Sequence, residues 1–312
     1  MPSVILLLSD KRSGSTMFQD EICRHPEVRT VPSSPHSNLE THWWLMAAVV
    51  LGRDRRLFAE GRVYPGYGSS ENARAYMIEL LARCVPDFDP PRDAEALVFE
   101  GWEAMCRALA RPVFFEKSPQ FLANWAALAL ILEWLERTEC DVRIVGLVRN
   151  PHGTLHSAAR LFGTDPRTRQ FGWLDTHRNL LAFEQMLPAG IYMRVRYETL
   201  VADARATFAE ICRFAGVPPD DRVGAGTRSG STEKWRRDPA YRLVLDPAVR
   251  QMAGHLGYAA EDLECPDRTG REGTAAALPV RRRSLRLWVN RCRDRYLQPG
   301  LLRLRGRFRI GR

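Results

Sequence analysis

The chain has 312 residues, 45% of them hydrophobic and 9% aromatic, with no low-complexity tract and no repeat of fixed period; this excludes a disordered or fibrous protein and allows a core that buries roughly 75% of the unfolded surface. The net charge of +9 is concentrated at one end, where residues 281–312 hold twelve Arg and one Asp and leave the preceding 280 residues close to −2; no nucleic-acid recognition motif accompanies that charge. Seven Cys, scattered and never in a C-x-x-C pair, argue against a zinc site or a disulfide framework, and the His residues show no metal-ligand spacing.

The apolar run Val4–Leu8 is too short for a signal peptide or a membrane span and ends in Asp-Lys-Arg, so a cytoplasmic protein is expected. It reads as a buried strand, and the segment after Ser13, closed by Pro26, as a helix. Helices are predicted over Trp43–Leu51 and Ser70–Cys84, the latter with Ala73, Met77, Leu80 and Leu81 at helical spacing, and "YPGYGSS" between them as a loop. A further helix should end near Leu109. "PVFFEKSPQFLANWAALALILEWLER", "DVRIVGLVRNPHGTLHSAARLF" and "GIYMRVRYETLVADARATFAEICRFAGVP" each repeat strand then helix. That alternation predicts an α/β fold with a central, mostly parallel sheet covered by helices on both faces. After Cys265, "CPDRTGREGTAAALP" has the composition of a flexible linker.

The chemistry starts in "DKRSGST", at the carboxyl end of the first strand and the start of a helix, where backbone N–H groups and a partial positive charge favour an anion. Gly14 permits close approach, Ser15 and Thr16 donate hydroxyl hydrogen bonds, and Arg12 supplies charge. An ATP-binding P-loop fits poorly, because Ser15 stands where its lysine belongs and Ser9 where its first glycine belongs. In "LVRNPHGTLHS" Arg149 ends a strand and Ser157 lies about two turns into the helix opened by Pro151, so both can address one phosphate. "RYETL" offers Tyr197 for stacking, and "RSGSTEKW" places Arg228 and Gly230 shortly before Trp235.

Together these stretches resemble the sulfotransferases that use 3′-phosphoadenosine 5′-phosphosulfate (PAPS), over roughly residues 3–260. The resemblance implies a P-loop-like fold in which the loop Arg12, Ser13, Gly14, Ser15 and Thr16 binds the 5′-phosphosulfate, Arg149 and Ser157 bind the 3′-phosphate, and Tyr197 contacts the adenine. In the late loop Arg228, Gly230 and Trp235 match the family pattern while Ser229, Glu233 and Lys234 depart from it. "EKSPQF" puts Pro119 where the soluble small-molecule branch carries its catalytic histidine, whereas Glu116 to Pro119 and "LETHWW" are similar to the heparan-sulfate and related glycan branch. The likeness therefore implies Glu40 as general base, His42 as the reserve base, Lys117 near the transferring sulfuryl group, and Arg12 near the leaving oxygen. It implies no metal. Read from residue type alone, Glu40 could instead cap or pair at a helix start, Lys117 could be a structural ion-pair partner, and Trp43 and Trp44 read as packing residues, with a platform for a sugar or aromatic acceptor as the alternative. His25, in "RHPEV", should close its helix.

The organisation expected is a sulfotransferase domain over 1–264, a linker over 265–280 and a basic amphipathic tail over 281–312. In the tail Leu285, Trp288, Val289, Cys292 and Tyr296 share one helical stripe surrounded by Arg. That stripe suits peripheral contact with the inner face of a membrane, docking to an acidic partner, or packing on the body. The expected reaction transfers a sulfuryl group to a hydroxyl of a carbohydrate, lipid or natural-product acceptor. A non-catalytic nucleotide-binding module and an ATP-dependent kinase with a degenerate loop are the alternatives.

Overall fold

The computed structural model describes residues 1–53, 68–227, 230 and 232–265. The linker from residue 266 onward, the basic tail, Arg228 and most of "YPGYGSS" lie outside the described residues. Five strands form one parallel sheet: β1 (Ser3–Ser9), β2 (Val28–Arg29), β3 (Val113–Lys117), β4 (Asp141–Val148) and β5 (Tyr192–Arg196), in the order β2-β3-β1-β4-β5. From Val4 onward β1 is buried at every position, as a strand covered on both faces requires. The helices are α1 (Ser15–Ile22), α2 (Trp43–Val50), α3 (Ser70–Cys84), α4 (Ala94–Leu109), α5 (Trp125–Leu135), α6 (Pro151–Phe162), α7 (Pro166–Gln185), α8 (Tyr197–Ala202), α9 (Ala204–Phe214), α10 (Lys234–Arg237) and α11 (Pro247–His255). Among the described residues no helix is long and apolar enough to cross a membrane.

The chain forms two compact units. Among the described residues one comprises Met1–Leu6 and Pro26–Arg143, the other Leu7–His25 and the described part of Ile144–Ser284. In the first, β2 pairs with β3 in the register Val28↔Val113 and Arg29↔Phe114. β2 is only two residues long and has no periodicity from which to predict it. The apolar faces of α2, α4 and α5 meet in an aromatic cluster: Trp44 lies 5.2 Å from Trp102 and 5.8 Å from Trp134, and Trp43 lies 5.8 Å from Trp102, measured between ring centroids. All four indoles are essentially buried, and Trp43 Nε1 donates to the Val98 carbonyl at 3.1 Å, so Trp43 and Trp44 are packing residues here. The side chains of Ser69 and Asp93 cap α3 and α4 by accepting from Asn72 N and Ala96 N.

In the second unit, β4 and β5 run parallel from Ile144↔Tyr192 to Val148↔Arg196. Asn150, Asp165, Asp203 and Asp246 each cap their helix through a side-chain oxygen. The strand–helix alternation in the sequence passes over α7, a 20-residue helix whose buried face mixes Gln170, Thr176 and His177 with Trp173, Leu174, Leu180 and Phe183.

Candidate active site

The second unit gathers five of the residues singled out in the sequence. β1 ends at Ser9, and the turn after it carries Arg12 at φ 74° and Gly14 at φ 97°, both left-handed. Gly14 is also the N-cap of α1 and offers no side chain to its first N–H groups, in contrast to the capped α6, α7, α9 and α11. The turn is held from behind: Arg169 Nη2 donates to both carboxylate oxygens of buried Asp10, at 2.5 and 2.6 Å. From the end of β4, Arg149 Nη1 donates to the Arg12 carbonyl at 2.9 Å, and Arg12 Nε donates to Ser157 Oγ at 3.1 Å.

Tyr197, the first residue of α8, completes this cluster. The Arg149 guanidinium lies over its ring at 4.4 Å, and a Cβ on Gly14 would stand 2.5 Å from Tyr197 Cδ2. Burial pushes the Arg149 guanidinium below its ordinary range, against the opposing influence of Tyr197, Glu198 and Tyr258. Two guanidinium-bearing residues and an uncapped helix N-terminus thus converge on one turn, an arrangement that favours an anion. Ser13 Oγ and Thr154 Oγ1 are buried without a hydrogen-bond partner among the described residues. An anion fits these features: its oxygens would accept from the α1 N–H groups and from the Ser13 hydroxyl, while the Tyr197 ring occupies the side of Gly14 where a Cβ would stand.

The first unit holds the second cluster. Lys117 ends β3, is fully buried, and donates through Nζ to Glu40 Oε1 at 3.0 Å. Glu40 Oε2 lies 3.2 Å from His42 Nε2, 3.5 Å from His36 Nδ1 and 3.1 Å from the Gln120 amide nitrogen that donates to it. Burial alone would raise the proton affinity of Glu40, but the hydrogen bond with His42 and the charges of Lys117, His42 and His36 outweigh it and hold the carboxyl down at about 2. Next to it Glu116 Oε1 accepts from Thr41 Oγ1 at 2.7 Å and from Ser118 Oγ at 2.6 Å. Ser118 Oγ also accepts from His42 N at 3.1 Å. Burial drives Glu116 up to about 7 in spite of these bonds.

A model of the sulfotransferase family matches residues 3–221. The chain belongs to the sulfotransferase family. Among curated proteins, none matches it. Among solved structures, it is similar to the sulfotransferase domain of the Synechococcus PCC 7002 olefin synthase, with 21% identity, a TM-score of 0.57, and coverage of 83% of this chain and 96% of that one. It is likewise similar to a sulfotransferase domain from the curacin biosynthetic pathway, with 20% identity, a TM-score of 0.55, and coverage of 83% and 99%. At these identities the likeness concerns the fold.

In this sulfotransferase, Arg12, Gly14, Arg149, Ser157 and Tyr197 form one cluster, and Ser13 and Ser15 are buried beside it while Thr16 is exposed. The late loop is anchored on α1, where Gly226 N donates to Glu21 Oε2 at 3.0 Å, but Arg228 lies outside the described residues, and a Cβ on exposed Gly230 would meet nothing within 4 Å. Trp235 stacks on His152 at 4.4 Å. His25 Nε2 meets the Pro218 carbonyl at 2.8 Å, and His25 N donates to the Ile22 carbonyl at 3.1 Å just beyond α1.

The sequence reading passes over Glu198, which accepts from Asn150 N at 3.0 Å and from Tyr258 Oη at 2.9 Å and so ties the start of α8 to the end of β4. It also passes over Gln120, and it sets His36 aside for want of a partner at ligand spacing. His36, Glu40 and His42 show no ligand spacing in sequence, yet their donor atoms lie within 4.8 Å of one another. Positive φ at Asn38 (66°), Leu39 (55°) and His42 (51°) folds the loop back on itself. With Arg12 these are all the non-glycine residues of that conformation among the described residues, each costing about 1–3 kcal/mol.

Proposed function

We propose that this sulfotransferase uses PAPS as donor and transfers its sulfuryl group to a hydroxyl of a carbohydrate, lipid or natural-product acceptor. The observation that carries the reading is the single cluster in which Arg149 reaches the Arg12 carbonyl, Arg12 reaches Ser157, and Tyr197 rests on Gly14. In this reading the backbone of residues 13–16 and the Arg12 side chain take the 5′-phosphosulfate. Arg149 and Ser157 take the 3′-phosphate, Tyr197 takes the adenine, and Arg228 and Gly230 of the late loop assist. The acceptor oxygen bonds to sulfur as the bond from sulfur to the bridging phosphate oxygen breaks, giving a sulfate ester and adenosine 3′,5′-bisphosphate, with the hydroxyl proton passing to the base.

Glu40 is the base in this reading, and Lys117 stabilises the transferring group. When the Lys117 ammonium turns from Glu40 to a sulfuryl oxygen, the carboxylate loses a stabilising partner and its proton affinity rises. The low proton affinity of Glu40 in the structure favours a second reading, in which His42 takes the proton and Glu40 orients its ring. The glycan-branch likeness rests on "LETHWW" and "EKSP", and with it the cytoplasmic setting remains part of the proposal.

Calorimetry with adenosine 3′,5′-bisphosphate against ATP with magnesium tests the donor. Tighter binding of the bisphosphate is expected, and tighter ATP binding overturns the assignment. Glu40→Gln should keep bisphosphate affinity and lose turnover in an acceptor screen with sulfur-labelled PAPS. Unchanged turnover would remove Glu40 from the mechanism, and turnover by neither wild type nor variant on any acceptor class would favour a non-catalytic module.

A further inference from the structure

We propose that His36, Glu40, His42 and Gln120 form a binding site for a borderline divalent cation of the Zn2+ type. The donor atoms of His36, Glu40 and His42 lie within 4.8 Å of one another. Three polar atoms surround a single carboxylate oxygen, Glu40 Oε2: His42 Nε2 at 3.2 Å, His36 Nδ1 at 3.5 Å and the Gln120 amide at 3.1 Å. A tetrahedral ion with ligand bonds of 2.0–2.2 Å separates its ligands by about 3.3–3.6 Å. The three distances from Glu40 Oε2 fall within about 0.2 Å of that spacing, and the His36 and His42 donor atoms, within 4.8 Å of one another, close to it as the ion binds.

Gln120 supplies an independent observation. Its side chain is 5% exposed, and its Oε1 is buried with no hydrogen-bond partner among the described residues. Turning the amide by 180° exchanges its nitrogen and oxygen. The orphaned oxygen then stands beside Glu40 Oε2 as the fourth ligand.

Donor chemistry selects the ion. Two imidazoles, one carboxylate and one amide oxygen suit Zn2+, Co2+ or Ni2+, whereas Mg2+ and Ca2+ require six or more oxygens. Lys117 on Glu40 Oε1 keeps the carboxylate monodentate and fixes its orientation, and its positive charge lowers the affinity below that of a dedicated structural zinc site. His36, whose side chain is 29% exposed against 5–7% for His42 and Glu40, marks the side from which the ion enters. An occupied site takes lone pairs from both Glu40 and His42 and so blocks proton transfer. That inhibitory consequence rests on the proposed function, but the binding itself does not.

The test titrates the chelator-treated full-length chain with ZnCl2 by calorimetry and with CoCl2 by visible absorption. One equivalent should bind, with the intense absorption of tetrahedral cobalt. His36→Ala and Gln120→Ala should each weaken binding by about 10-fold or more and dim the cobalt bands, while circular dichroism and the metal-free unfolding midpoint show that both variants fold. Absence of saturable binding to the wild type, or equal binding by both variants, overturns the proposal. Zn2+ should inhibit turnover, and His36→Ala should relieve the inhibition. Binding with tetrahedral spectra but without inhibition upholds the site and removes Glu40 and His42 as bases; inhibition without binding at these residues overturns the site.

Discussion

Substituting Gly14 by Ala tests the contact that packs Tyr197 against the turn after β1. Gly14 sits at φ 97°, where an L-residue pays about 1–2 kcal/mol for its Cβ. The new methyl would also stand 2.5 Å from Tyr197 Cδ2 and 3.5 Å from Tyr197 Cζ. The ring has little room to slide: it is 5% exposed, and the Arg149 guanidinium covers it at 4.4 Å. Overpacking of this kind costs about 1–3 kcal/mol, so the expected loss is about 2–5 kcal/mol in all. Urea unfolding of the wild type, Gly14→Ala, Tyr197→Ala and the double variant separates the two contributions. In the Tyr197→Ala background only the backbone cost of about 1–2 kcal/mol should remain. A loss under about 0.5 kcal/mol for Gly14→Ala, or the same loss in both backgrounds, refutes the argument.

Two further predictions concern pH. His177 is fully buried, its Nδ1 donates to the Trp173 carbonyl at 2.7 Å, and burial lowers it from 6.5 to about 4. With a folded value below the unfolded one, its contribution of about 3 kcal/mol is present above pH 6.5 and lost as pH falls towards 4. His177→Gln should flatten the fall of the urea midpoint between pH 7 and 4, and an unchanged slope would contradict this. Glu116 is displaced the other way, from 4.5 up to about 7 by burial, so its contribution is present below pH 4.5 and lost as pH rises through 7. Glu116→Gln keeps an acceptor for Thr41 and Ser118 and should gain on the wild type by up to about 3 kcal/mol between pH 5 and 8; a difference independent of pH would refute it.

The cluster of Arg12, Gly14, Arg149, Ser157 and Tyr197 is legible in the sequence because its motifs are local. A strand end, a glycine turn and a helix start fall within consecutive residues, and parallel topology carries the ends of β1, β4 and β5 to the same edge of the sheet. The same alternation makes the α/β class readable, while β2, with two residues, and α7, with polar residues on its buried face, carry too little pattern. The environment of Glu40 is not legible. Its partners come from positions 36, 42, 117 and 120, and they meet because Asn38, Leu39 and His42 adopt backbone conformations that residue type does not forecast. Glu40 and Lys117 were readable both as reacting groups and as an ion pair, and the ion pair is present.

The aromatic cluster of the first unit has an optical consequence. Trp43, Trp44, Trp102 and Trp134 lie shielded from water in one unit, whereas the second contributes Trp173 and Trp235. Intrinsic emission is therefore weighted towards the unit that carries Glu40, whereas backbone dichroism reports on the helices of both units. Melting curves recorded by the two signals distinguish cooperative from stepwise loss of structure without any introduced label.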